Sequence, residues 1–278
     1  MGLKERLLNY IKNILYLAGL GDLHDMSLEN TFRQLANESP NPLLKSGLSY
    51  FSQVDEDGLT SEILKRIESK EEDSTRTFVE LGVGDGTENN TLLLAARGWS
   101  GLWFGGQDLA YQASRAFHSR LEFNKLWITT KSLESDILPK ILLLGELDVL
   151  SLDLDGNDWY FCEQLLDGGV RPKLWIQEYN SAFPPDVDWC MPYNAEHTWD
   201  VTSFFGASLY AFVELFKKNG YRLVACNLTG VNAFFIREDF TSSFEDVPRS
   251  TSDLYMPSRP WLYRVRKKID PRAMKGFR

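Results

Sequence analysis

The sequence predicts an α/β fold, a mainly parallel sheet with helices packed on both faces. Three observations predict it. From Thr77 to Asn219, short apolar runs of strand length alternate with helical segments, the order that builds parallel strands joined by crossover helices. The first run, Thr77 to Leu81, leads directly into a glycine-rich turn, Gly82-Val-Gly-Asp-Gly86, which lets backbone approach a ligand closely. Two last runs, Tyr221 to Cys226 and Asn232 to Arg237, flank the turn Asn227-Leu-Thr-Gly230 and read as a hairpin.

At 278 residues the chain has room for one large or two small domains, and with 43% hydrophobic and 25% charged residues it has an ordinary globular composition. Its net charge of −9 argues against a general nucleic-acid binder, whose affinity comes from phosphate neutralisation. Cys162, Cys190 and Cys226 are odd in number and lack metal-site spacing, so they read as reduced thiols in a cytoplasmic protein.

The elements follow in order. Leu3, Leu7, Ile11, Ile14 and Ala18 share a helical face between Leu3 and Leu20, with Lys4, Arg6 and Lys12 interrupting any signal-peptide core. The apolar run within it is too short to span a bilayer. It is expected to pack on the domain or on a second copy of the chain, or to lie on a membrane surface. A second helix is predicted over Ser27 to Asn37, ended by Ser39-Pro-Asn-Pro42, and a third over Thr60 to Lys70. Residues Glu68 to Arg76 read as an exposed linker. Beyond the glycine turn come a helix from Glu88 to Ala96, a strand Gly101 to Phe104, a helix Tyr111 to Arg120 and a third strand Leu126 to Thr129. A fourth strand, Asp148 to Asp153, a helix Trp159 to Leu166, a fifth strand, Leu174 to Glu178, and a long helix, Phe205 to Asn219, precede the hairpin. The division expected is a helical extension over 1–48, the α/β domain over 49–245 and a C-terminal tail over 246–278.

The glycine turn narrows the ligand. A dinucleotide fold wants G-x-G-x-x-G, whereas Glu80-x-Gly82-x-Gly84-x-Gly86 brings the third glycine one residue early. It resembles motif I of class I methyltransferases, which bind S-adenosylmethionine. Ser52-Gln53 followed by Glu56-Asp57-Gly58, a helix and Phe78-Val-Glu-Leu-Gly82 resembles the opening of FkbM-type methyltransferases. So do Ser151-Leu-Asp-Leu-Asp-Gly-Asn-Asp-Trp159, Gln177-Glu-Tyr-Asn180, Phe205-Gly-Ala-Ser-Leu209 and Gly230-Val-Asn-Ala-Phe-Phe235, so that the resemblance runs from Tyr50 to Asp239. It implies a Rossmann-like class I methyltransferase fold, a seven-stranded sheet ending in an antiparallel hairpin. It also implies that S-adenosylmethionine lies near Gln53, Glu80, Gly82, Gly84 and Gly86. The chain departs from the pattern at strand two, where an acid for the ribose hydroxyls is expected and Phe104 is followed by Gly105-Gly106-Gln107. Either Asp108 is displaced into that role or Gln107 makes a single contact. The alternative is a non-catalytic protein of the same fold that binds a nucleotide-like ligand or a protein partner.

Ligands of open α/β sheets lie at the carboxyl ends of the strands. Asp153, Asp155, Asn157 and Asp158 follow strand four, Glu178 and Asn180 end strand five, and His197 lies in the next loop. The acids do not make a calcium loop, since Asp158 stands at the position that requires glycine and Gln164 at the one that requires glutamate. Asp153, Asp155, Glu178 and Asn180 offer a hard oxygen set for Mg2+ or Mn2+, and they resemble the metal site of sugar O-methyltransferases. A purely structural reading has Asp158 capping the next helix and Asp155-Gly-Asn157 forming a turn. His197, or one of the two aspartates Asp153 and Asp155, is a candidate to take a proton from an acceptor hydroxyl. Trp189 and Trp199 are candidates to stack on a sugar-like acceptor. Seven basic residues against one acid, Asp270, between Arg264 and Arg278 make a tail that is solvated or that meets anionic lipid or a phosphorylated carrier. Together these readings predict O-methylation of a sugar, glycan or related small metabolite.

Overall fold

In the computed structural model, residues 20–70, 74–263 and 270–277 are described. The helix expected before Leu20 lies outside them, as do Arg264, Arg266, Lys267, Lys268 and Arg278 of the basic tail. Seven strands, β1 (Thr77–Leu81), β2 (Ser100–Gly105), β3 (Leu121–Lys125), β4 (Val149–Leu152), β5 (Leu174–Glu178), β6 (Tyr221–Cys226) and β7 (Asn232–Arg237), form one sheet in the order β3-β2-β1-β4-β5-β7-β6. β1 to β5 run parallel, and β7 runs antiparallel to both β5 and β6. This is the mostly parallel, Rossmann-like sheet with a terminal hairpin that the sequence predicts.

The central strands are central because they can be buried on both faces: every residue of β4 and β5 is buried, as is β1 from Phe78 onward. Leu81 of β1 is paired with Phe104 on one side and Leu152 on the other, so β1, β2 and β4 finish almost level. Between β1 and β4 the strand order reverses, and chains leaving in opposite directions open a crevice at the carboxyl ends. Helices α1 (Leu20–Glu38), α2 (Glu56–Glu68), α3 (Leu92–Ala96), α4 (Ala113–Ala116), α5 (Asp158–Asp167) and α6 (Leu209–Lys218), with a helical run over 130–143, accompany the sheet. One core joins Leu59, Phe78, Trp103, Phe161, Trp175 and Phe216.

Several boundaries differ from expectation, each for a local reason. The third strand is Leu121–Lys125, not Leu126 to Thr129. It lies at the sheet edge, paired only with β2, and its Glu122 and Lys125 are exposed, so apolar content pointed to the four residues that follow it. The helix after the glycine turn begins at Leu92, because the Glu80 carboxylate takes the Asn90 and Thr91 N–H groups and holds 88–91 in a turn. The helix predicted over Tyr111 to Arg120 shrinks to α4, broken by positive φ at His118 and Ser119. α6 starts at Leu209, where the Ser208 side chain accepts from the Ala211 N–H as an N-cap. The chain after 245 packs back: Leu254 and Leu262 join the core, and the Tyr179 hydroxyl donates to the Met256 carbonyl at 2.6 Å. No helix among the described residues is long and apolar enough to cross a membrane.

Candidate functional site

The glycine turn is built from two glycines with different duties. Gly82 has φ +97, and a Cβ there would overlap the Asp153 carbonyl oxygen, so it lets β1 and β4 come together. Gly84 has φ +52 and nothing within 4 Å of where its Cβ would stand; a side chain there would project into open space in the crevice. Gly86 is not part of a ligand cradle. Its missing Cβ makes room for Leu109 and Trp103, and its carbonyl accepts the Tyr111 hydroxyl at 2.8 Å. Glu80 is also committed: it is 4% exposed, and its two oxygens accept from Asn89, Asn90 and Thr91. It shapes the turn from beneath and takes up the Asn90 and Thr91 N–H groups ahead of α3.

Gln53 reaches the crevice on a loop whose acids turn out to be structural. One Asp57 oxygen accepts from the Tyr50, Phe51 and Ser52 N–H groups at 2.6–2.9 Å. Glu56 accepts from the Asn227 and Asn232 side chains of the hairpin, tying this loop over the edge of β7. Burial, with Glu56 alongside, pushes the Asp55 carboxyl up to about 7.

The strand-end acids converge. Asp153, Asp155 and Glu178 each offer a carboxylate oxygen, all within 4.8 Å of one another. Asp155 takes φ +54, a left-handed position that Asp and Asn tolerate, and its N–H donates to Glu178 at 3.2 Å. Burial raises Asp153 and Glu178 well above the usual carboxylate range, reinforced for each by the negative charges beside it. Burial also raises Asp155, against the pull of His197, though part of its side chain meets solvent and softens the effect. Asp158 is separate: it is the first residue of α5 and does not cap it, and its oxygens accept from the Leu154 and Gly156 N–H groups, bracing the turn before the helix. Asn180 does not face the acids, because its amide donates to the Ser203 and Phe205 carbonyls and accepts from Ala182. Three carboxylates with no lysine or arginine among the described residues lining the cleft suit a hard divalent cation, since ligand distances of about 2.0–2.6 Å allow donors up to about 5 Å apart.

Two cavities meet over the glycine turn. The larger, about 570 Å³, is lined by Gln53, Gly82, Gly84, the three acids and, from the C-terminal segment, Ser258 and Tyr263. The smaller, about 420 Å³, lies beside Gly105, Gln107, Trp127, Ile128 and His197. Gly82, Gly84, Asp153, Asp155 and Trp199 border both. Asp108 is in neither: its side chain is 84% exposed and pairs with Lys125 at 2.6 Å, so it does not supply the missing acid. His197 lies against Gly156 on the smaller cavity and does not line the acid chamber. Of the two tryptophans singled out, Trp199 borders the cleft, while Trp189 stacks on Phe183 at 4.4 Å and lines neither cavity. Tyr263, Ser258 and Trp127 carry no motif, and only their placement in the fold reveals them.

No family model matches the sequence, and no curated protein matches it. Among solved structures, the chain is similar to an O-methyltransferase family protein from Burkholderia thailandensis, at 12% identity over 66% of this chain and 57% of that one, with a TM-score of 0.36. It is also similar to the methyltransferase CalO6, at 18% identity over 63% of this chain and 64% of that one, with a TM-score of 0.31. The chain thus spans less than two thirds of either solved chain. At these values neither likeness bears on activity, and the fold assignment rests on the strand order and directions of the sheet itself.

Proposed function

We propose that the chain is an S-adenosylmethionine-dependent methyltransferase that O-methylates a sugar, glycan or related polyhydroxylated metabolite. The observation that carries this reading is the pair of cavities joined over Gly82 and Gly84, one of about 420 Å³, within the size range of small-molecule pockets, and the other lined by Asp153, Asp155 and Glu178. A donor laid across the open space at Gly84 would extend from Gln107 at one end toward Gln53 at the other. Bound there, S-adenosylmethionine supplies an electrophilic methyl group. The protein's part is to align the acceptor oxygen with it and to receive the acceptor's proton. Asp153 and Asp155 border both cavities, so one of the two that is not ligating a cation is placed to receive that proton. His197, on the nucleoside side, is worse placed for that role. Asp153, Asp155 and Glu178 would hold Mg2+ or Mn2+, whose charge would orient acceptor hydroxyls, while Trp199 and Tyr263 form the walls against which a sugar ring would lie.

A second reading, a protein of this fold that holds a nucleotide-like ligand without transferring methyl, draws on the bare end of β2. A structure with S-adenosylhomocysteine tests the common premise. The ligand is expected along Gly82 to Gly84, its nucleoside toward Gln107 and its amino-acid end toward Gln53. A ligand seated elsewhere would sink both readings of the cleft. Labelled methyl transfer from S-adenosylmethionine to a panel of glycosides separates the two.

A further inference from the structure

We infer that Trp127 is the platform for the donor's nucleoside, standing where the fold's ribose-binding acid is missing; the inference rests on the methyltransferase reading above. The shift of β3 to Leu121–Lys125 moves Trp127 out of the strand and onto the carboxyl edge of the sheet, where ligands bind. There Trp127 is 52% exposed, and it borders the smaller cavity together with Gln107, Ile128 and His197.

The ring is held on two sides. At Gly106 an added Cβ would stand 3.2 Å from indole Cε3, so the bare backbone beyond β2 serves as the shelf on which the ring lies. Its Nε1 donates to the Ala195 carbonyl at 2.9 Å. The loop carrying Ala195 is itself pinned by Asn157, which donates to the Asn194 carbonyl at 2.7 Å and accepts the Asn194 N–H at 2.9 Å. An aromatic ring fixed in orientation but left open on a cavity wall is what a purine can stack on without further ordering. Gly106 thus acquires a reason: a Cβ there would crowd the indole and make it give by a few tenths of an ångström. In the same wall stands His197, whose Nε2 is buried without a hydrogen-bond partner.

The test uses the full chain, titrated with S-adenosylhomocysteine and with adenosine, followed by calorimetry and by tryptophan fluorescence. Both ligands are expected to quench wild-type fluorescence. Trp127→Phe should keep most of the affinity and lose that quench. Trp127→Ala should weaken both ligands about tenfold or more, the scale of one base–aromatic stack, with circular dichroism unchanged. Gly106→Val, which pushes a side chain against the ring, should weaken them as well. Equal affinity in Trp127→Ala and wild type, a loss for S-adenosylhomocysteine not shared by adenosine, or a full quench persisting in Trp127→Phe would overturn the proposal and leave the methyltransferase reading standing. If Trp127→Ala does not fold, the Trp127→Phe quench and Gly106→Val decide. A wild-type protein that binds neither ligand removes the methyltransferase reading, and the platform with it.

Discussion

Gly82→Ala is expected to destabilise the fold by more than about 3 kcal/mol, whereas Gly84→Val is expected to leave the fold standing and abolish donor binding. The two positions are two residues apart and both have positive φ, yet their surroundings separate them. At Gly82 the added atom would overlap a backbone carbonyl, that of Asp153, which cannot swing aside as a flexible side chain can. Relief would require β1 and β4 to part at the centre of the sheet, where Leu81 and Leu152 are paired and fully buried. At Gly84 nothing lies within 4 Å, so the strain is only that of a left-handed backbone, about 1–2 kcal/mol, with a modest addition for β-branching. The isopropyl group would fill the space shared by both cavities. Thermal melts with S-adenosylhomocysteine titrations check both halves. A Gly82→Ala protein as stable as wild type, or a Gly84→Val protein that binds like wild type, would contradict this account of the turn.

Addition of Mn2+ or Mg2+ is expected to raise thermal stability, and a chelator to reverse the gain. At a hundred times the dissociation constant such a ligand contributes about 2.7 kcal/mol. The sign of the pH dependence follows from the acids. Asp153, Asp155 and Glu178 all have raised folded-state pKa values, so without metal their contribution to stability is present below the ordinary carboxylate range and lost as pH rises through the raised values. Metal binding requires the ionised forms. The metal-dependent gain should therefore grow as pH rises, being larger at alkaline than at mildly acidic pH. Asp155→Asn suits the test because asparagine tolerates the left-handed backbone at that position. It and Glu178→Gln should shrink the response while S-adenosylhomocysteine still binds. A melting temperature unmoved by millimolar metal at alkaline pH would show that the trio works without an ion.

What the sequence revealed of the fold tracked burial. β1, β5, β6 and β7 were legible to the residue because all but one residue of each, at most, is buried. β3 was not, since an edge strand with Glu122, Asn124 and Lys125 looks polar, while Leu126 to Thr129 looks like a strand and is a loop. In the site, the convergence of Asp153, Asp155 and Glu178 was readable because residues that end adjacent parallel strands must emerge together. The roles of Glu80, Gly86 and Asn180 were not. Each is decided by which backbone groups lie within hydrogen-bonding or packing distance, and spacing along the chain does not report that. Asp108 was lost to Lys125 on the neighbouring strand, a pairing visible only once β3 had its true register. Tyr263 and Ser258 entered the cleft because the segment after 245 folds back over the hairpin, a long-range event with no local signature.

Calorimetric titration of the wild-type chain with S-adenosylhomocysteine decides whether the cleft over the glycine turn is a donor site. The joined cavities over Gly84 predict one-to-one binding at submillimolar ligand or below, lost in Gly84→Val. No heat of binding at millimolar ligand, from protein whose melting transition is intact, would contradict it.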